Sequence, residues 1–213
     1  MATLLYYITD RTQFPGNRQE QESLLLEKIT ECAAAGVEYI QLREKDLNAR
    51  ALGELAGKAM RALRGSATKL LINSRTDVAL ACGAHGVHLP AGDLPASEIR
   101  AIFARANVVA PVIGVSTHSQ AEIVSAEAHG GDFAVFGPVF EKAGNANPEG
   151  LEQLREVSTF TKSRAVALPV VALGGITLAN ALLCLQAGAA GIAGIRLFQE
   201  NRASDVVKKL RGE

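Results

Sequence analysis

The chain has no tryptophan, only three cysteines and two methionines, and aromatic residues make up 5% of its 213 positions. It also lacks any excess of charge, with 22 Lys and Arg set against 22 Asp and Glu. Each shortage excludes something. Cys32, Cys82 and Cys184 are too sparse and too far apart for a disulfide framework or a zinc site, so a reducing compartment and thiols packed as small hydrophobes are expected. A zero balance argues against nucleic acid, whose phosphates call for a basic excess. No stretch of about 20 apolar residues runs free of charge, as a membrane span would. The opening MATLLYYITD has neither the basic start nor the length of a signal peptide. The expectation is a cytosolic protein with no nucleic-acid or membrane partner.

What is present is apolar bulk, 48% of residues against 21% charged, which is too hydrophobic for a disordered chain. At this length roughly 70% of the unfolded surface can be buried, so no disulfide or structural metal is required. Short β-branched or aromatic runs recur eight times: Leu4–Ile8, Tyr39–Leu42, Lys69–Asn73, Gly86–Leu89, Val112–Val115, Phe133–Phe136, Pro169–Leu173 and Gly191–Ile195. Helix-like segments follow them, at Ser23–Ala35, Ala51–Leu63, Asp77–Cys82, Ala96–Ala104, Gln120–His129, Leu151–Thr161, Leu178–Ala187 and Ser204–Leu210. Continuously apolar strands imply burial on both faces, as in a parallel sheet covered by helices. Gly36, Gly130 and Gly188 sit where a left-handed cap would end a helix before the next strand. An open doubly wound sheet competes, but eight even units with no compositional break favour a closed (β/α)₈ TIM barrel. Residues 1–213 are read as a single barrel domain.

In such a barrel the chemistry lies on the loops after the strands. Two loop-like stretches stand out there, Phe14–Arg18 and Glu141–Pro148. The strand ends supply Asp10 and Arg11; Gln41, Arg43 and Lys45; Asn73, Ser74 and Arg75; His88 and Asp93; and Ser116, Thr117 and His118. Strand alternation turns Gln41, Arg43 and Lys45 the same way, an amide and two cations fit for an anionic substrate. The plainer reading makes the two charges solvated surface groups. Gly174, Gly175, Gly194 and Ile195, with Arg196, lie after the seventh and eighth strands, where barrels often hold phosphate on backbone N–H groups. Two glycines could equally make a turn. His118 suits a proton shuttle or a helix cap, and the spacing does not choose between them. His88 reads as packing or substrate positioning, and His85 and His129 as surface residues. Arg43, Lys45, Arg75 and Arg196 are expected to gather at one mouth, so overall neutrality excludes only a polymeric phosphate partner.

Seven segments in order carry a resemblance: Tyr7–Asp10; Ile40–Lys45; Leu71–Asn73 with Arg75–Leu80; Gly86–Leu89; Ile113–His118; Phe136–Phe140; and Ala172–Ile176. Together they resemble the superfamily of thiamin phosphate synthases and TenI-type thiazole tautomerases, over nearly the whole chain. The resemblance implies a barrel that takes a small phosphate ester, thiazole phosphate, with a homo-oligomer compatible but unmarked by any apolar stripe. A synthase would join a pyrimidine diphosphate to thiazole phosphate, using Gln41, Arg43, Lys45 and Asn73 on the diphosphate and Mg²⁺ on two carboxylates. One of those matches Asp93; the other is replaced by Ser74. The hydroxyl-bearing loop of the synthases reads Lys142–Asn145 here, and Arg196 stands where a small serine is usual. A tautomerase needs no metal, only a phosphate cradle, Ser116 nearby, and one acid/base group, which His118 matches. The expectation drawn is therefore a cofactor-free tautomerase. The alternatives are a magnesium-dependent synthase and a non-catalytic sensor of the phosphate ligand.

Overall fold

The computed structural model describes residues 3–140, 148–163 and 168–212. Eight parallel strands, β1 to β8 in chain order, close into a barrel in which every neighbour in sequence is a neighbour in space. They are Leu4–Ile8, Tyr39–Leu42, Lys69–Asn73, Gly86–Leu89, Val112–Thr117, Phe133–Phe136, Val170–Ala172 and Gly191–Gly194. Pairing of Leu4–Tyr7 with Gly191–Gly194 closes the ring. The open sheet is thereby excluded, because neither β1 nor β8 is left with a free edge.

The helices are α1 Arg18–Ala34, α2 Ala49–Ala62, α3 Thr76–Cys82, α4 Ala96–Arg105 and α5 Gln120–Ala128. After them come α6 Pro148–Lys162, α7 Ala181–Gln186, α8 Arg196–Gln199 and α9 Ala203–Arg211. Strand alternation sorts the core into two clusters. Tyr6, Ile8, Leu71, Val112, Phe133 and Val135 fill the barrel, whereas Tyr7, Ile40, Leu70, Ile72 and Ile113 pack outward among the helices. Gly36, Gly130 and Gly188 take φ of 83°, 78° and 101°, the left-handed turns their positions implied.

Among the helix ends that differ from the sequence reading, two have a clear local polar reason. Helix α1 starts at Arg18 rather than Ser23, because Asn17 accepts from the Gln19 and Glu20 amides while Glu20 accepts from the Asn17 amide. That capping box lies in a polar stretch where apolar periodicity is silent. Helix α7 starts at Ala181 rather than Leu178, since the Asn180 side chain accepts from Thr177 N (2.8 Å) and donates to Gly175 O (3.1 Å). The short α8 is an addition to the sequence reading. Cys32 and Cys184 are buried, and burial pushes both thiols up to about 12, so they are inert packing groups. Among the described residues no helix is long and apolar enough to cross a membrane.

Candidate active site at the barrel mouth

Inside the barrel, beneath the mouth, four neutral polar side chains from β1, β2, β4 and β5 form one chain. Gln41 Nε2 donates to Tyr6 Oη at 3.0 Å; Tyr6 Oη lies 3.1 Å from His88 Nδ1; and His88 Nε2 lies 2.8 Å from Ser116 Oγ. Gln41, Tyr6 and His88 are buried. A side chain at Gly114 would fall 2.5 Å from the Phe133 ring and 2.9 Å from His88 Nδ1, so the missing side chain makes room for the imidazole. Burial holds His88 down to about 3, aided by the positive charge of Arg43, and the same burial lifts the Tyr6 phenol well above its usual range. Both groups are therefore neutral at pH 7.

Strand β2 ends at Leu42, before the two predicted cations, yet the segment beyond it is tied down. The reason is Glu44, a buried carboxylate. It accepts from Thr9 Oγ1 (2.6 Å), from Arg11 N (3.1 Å) and from Arg11 Nη1 (2.9 Å). Thr9 Oγ1 in turn accepts from Arg43 N at 3.0 Å, and Arg11 also clasps Asp46. The loops after β1 and β2 are thus laced together, with Arg43 half-buried and Lys45 exposed on the mouth side. Hydrogen bonds from Asp46, and then Glu44, hold the Arg11 guanidinium firmly charged. Glu44 itself is pushed up by burial, with Thr9 and Arg11 opposing the shift. We regard the pair as ionised, because three donors converge on the carboxylate.

At the end of β3, Asn73 donates to Ser74 Oγ at 3.1 Å, and Ser74 is held at φ 60°, uncommon for a residue with a side chain. Arg75 turns away to Asp77, with contacts of 2.8 and 2.5 Å, so it adds no free cation to the mouth as the sequence had suggested. Asp93 is exposed and accepts from Leu94 N at 2.8 Å; it shares a cavity of about 260 Å³ with Ser116. Among the described residues no three His, Cys, Asp or Glu side chains converge as a metal site. Magnesium keeps few protein ligands when phosphates supply the rest. A single exposed carboxylate such as Asp93 is compatible with a cation carried in on a diphosphate and does not make a protein-only cage.

The other side of the mouth is built differently. His118, just past β5, lies with Nδ1 2.5 Å from the Gly137 carbonyl, which can only accept, so Nδ1 carries a proton, and among the described residues Nε2 meets no protein partner. Its backbone N–H donates to Glu122 at 2.6 Å, so backbone and imidazole serve cap and site separately. After β7, Gly174 has φ 105°, and a Cβ there would meet Pro138 Cα at 2.6 Å; only glycine fits. Gly175 follows at φ 58°. A cavity of about 610 Å³ is lined by Leu173, Gly174, Gly175, Gly194, Ile195 and Arg196, among others. Among the described residues the amides of Gly174, Gly175 and Ile195 donate to no protein acceptor, which suits an oxyanion. Arg196 is exposed at its rim. The Lys142–Asn145 loop lies outside the described residues.

The family model described as thiamine monophosphate synthase matches residues 5–198. The chain belongs to this family. A Geobacter sulfurreducens protein named "Putative thiamine-phosphate synthase" is 44% identical over 193 residues, covering 89% of this chain and 83% of that one. A Roseiflexus castenholzii thiamine-phosphate synthase is 36% identical over 89% of this chain and 78% of its own. Among solved structures, the thiamine phosphate pyrophosphorylase of Pyrococcus furiosus superposes with a TM-score of 0.77 at 31% identity, covering 98% of this chain and 94% of that one. These findings set the protein in thiamin biosynthesis. They favour the synthase alternative over the tautomerase first drawn from the sequence.

Sequence reasoning reached the strand-end residues and missed what supports them. Tyr6 shares the inward face of β1 with Ile8, a signal the alternation carries. That its hydroxyl meets Gln41 and His88 has no local sign. Arg11 looked like a mouth residue and is instead a buried strut.

Proposed function

We propose that the chain is a thiamin phosphate synthase that joins hydroxymethylpyrimidine diphosphate to thiazole phosphate, with residues 1–213 acting as one barrel domain. The observation that carries this reading is the presence of two anion stations of different construction at one mouth. Arg43 and Lys45, at the end of β2, supply charge for a diphosphate. The amides of Gly174, Gly175 and Ile195, after β7 and β8, suit a monophosphate, whose position they fix without adding net charge. A reaction between two phosphorylated substrates needs both; a rearrangement of one phosphate ester needs only the second.

In this reading Gln41 and Ser116 orient the heterocycle that bears the diphosphate, and Arg43 and Lys45 offset the charge that accumulates as diphosphate departs. Mg²⁺, when bound on the diphosphate beside Asp93 and the Asn73–Ser74 turn, would supply further charge neutralisation there. His118 Nε2 stands ready to accept a hydrogen bond or proton near the cradle.

A metal-free tautomerase remains the second reading, favoured by the hydroxyl of Ser74 where a carboxylate would strengthen a cation site, and by the free Nε2 of His118. One set of assays separates the readings: thiamin phosphate formation from the two precursors, and aromatisation of the thiazole carboxylate phosphate, each with and without Mg²⁺. Magnesium-dependent thiamin phosphate formation that falls at least tenfold in Arg43→Ala is expected, the loss of one charge-assisted contact. Aromatisation alone, abolished in His118→Ala, would replace the proposal with the tautomerase. Tight ligand binding with neither product would make the protein a sensor.

A further inference from the structure

We infer that Tyr6 and His88 are positioning residues that fix the direction of a hydrogen-bond chain and thereby leave the Ser116 hydroxyl proton to be donated toward the ligand. The argument starts from donor inventories. The Gln41 amide nitrogen can only donate, so the contact at 3.0 Å makes Tyr6 Oη an acceptor there. The single phenolic proton then goes to the other contact, His88 Nδ1 at 3.1 Å. A neutral imidazole that accepts at Nδ1 carries its proton on Nε2, which donates to Ser116 Oγ at 2.8 Å. Ser116 Oγ is left with its own proton. Among the described residues it has no second protein partner, and it lines the cavity shared with Asp93.

Burial is what makes the chain directional. An exposed serine hydroxyl rotates freely between donor and acceptor roles; a relay through two buried neutral groups fills one of its lone pairs and keeps its proton out of the relay. Tyr6 is packed edge-on against Phe133, with ring centroids 5.3 Å apart, so the phenol has no alternative position. The ligand atom that takes the Ser116 proton is then an acceptor, such as an unprotonated ring nitrogen or a carbonyl oxygen. A donor there leaves the Ser116 proton without that partner and loses affinity. The identity of that ligand rests on the synthase reading; the direction of the chain does not.

The test has two arms. In the first, long-range ¹⁵N–¹H correlation spectra are recorded on a His85→Gln, His118→Gln, His129→Gln variant, which keeps His88 as the only one of the four histidines. The expected result is a neutral ring with its proton on Nε2, unchanged from pH 5 to pH 8. Tyr6→Phe should remove the fixed tautomer and leave a mixture. A proton on Nδ1 overturns the inference, since Nε2 would then take the Ser116 proton; a ring that titrates between pH 5 and pH 8 overturns it as well, because an imidazolium cannot accept from Tyr6.

In the second arm, thiamin phosphate binding is measured by calorimetry for wild type, Tyr6→Phe, Ser116→Ala and the double variant. Tyr6→Phe should weaken binding about tenfold, the scale of one hydrogen bond. The double variant should be no weaker than Ser116→Ala, because Tyr6 acts through Ser116. Losses that multiply would mark Tyr6 as merely structural and overturn the positioning role. Absence of wild-type binding would instead count against the synthase reading, with the direction of the chain still decided by the first arm.

Discussion

The two sides of the mouth are built by opposite means. The β1, β2, β4 and β5 side uses side chains: a buried neutral relay of Gln41, Tyr6, His88 and Ser116, and a buried ion pair of Arg11 and Glu44 that holds Arg43 in place. The β7 and β8 side uses backbone, with a glycine, Gly174, whose missing side chain lets the neighbouring Pro138 loop approach. A backbone cradle has no titrating group and one fixed polarity, so it suits an invariant group such as phosphate. Buried side chains can be directional and selective, but every member needs a partner, so each is costly to remove.

The sharpest way to break this contrast is on the side-chain side. Glu44→Ala leaves Arg11 buried against Asp46 alone and should cost about 3–5 kcal/mol in urea denaturation, as for breaking a buried pair. A cost under 1 kcal/mol would mean the clamp is a surface pair in effect. Next comes the backbone side: Gly174→Ala strains a positive-φ position and drives a methyl against Pro138, for about 2–3 kcal/mol. The same variant should lower affinity for inorganic phosphate, whereas Glu44→Ala should act chiefly through Arg43.

The contrast also predicts a pH signature. His88 is held down to about 3 by burial and by Arg43, with Tyr6 and Ser116 as its other partners, against an ordinary value near 6.5. Below pH 6.5 the unfolded chain binds a proton that the folded chain refuses, so stability is full above 6.5 and falls as the pH drops toward 3. Urea midpoints at pH 7 and pH 5 should differ less in His88→Gln than in wild type; an equal difference would place the titration elsewhere. The smallest effect is expected at Arg75→Ala. Its pair with Asp77 is exposed, and surface pairs are worth about 0–1 kcal/mol.

The fold was legible from sequence because its signals are local. Five of the eight strands, including Leu4–Ile8 and Lys69–Asn73, run between the ends read from β-branched and aromatic content. Helix starts were less legible where polar side chains, Asn17 in its capping box and Asn180 tying the turn before α7, outweighed apolar spacing. The cradle glycines were legible for a similar reason, since glycine before a helix and after an apolar strand already limits the backbone. The relay was not. Tyr6 and His88 are 82 positions apart, Gln41 and Tyr6 35, and Ser116 and His88 28.

By itself the sequence determined the order of strands and helices, the neutrality of the chain and the residues offered at each strand end, because these follow from short-range periodicity and turn chemistry. Only the closed barrel decided which of those residues are free to meet a ligand. Closure made Arg11 a strut, turned Arg75 toward Asp77, and aimed Ser116 through His88 and Tyr6. Such outcomes depend on distances between strands far apart in the chain, and on a desolvated interior that no single segment possesses.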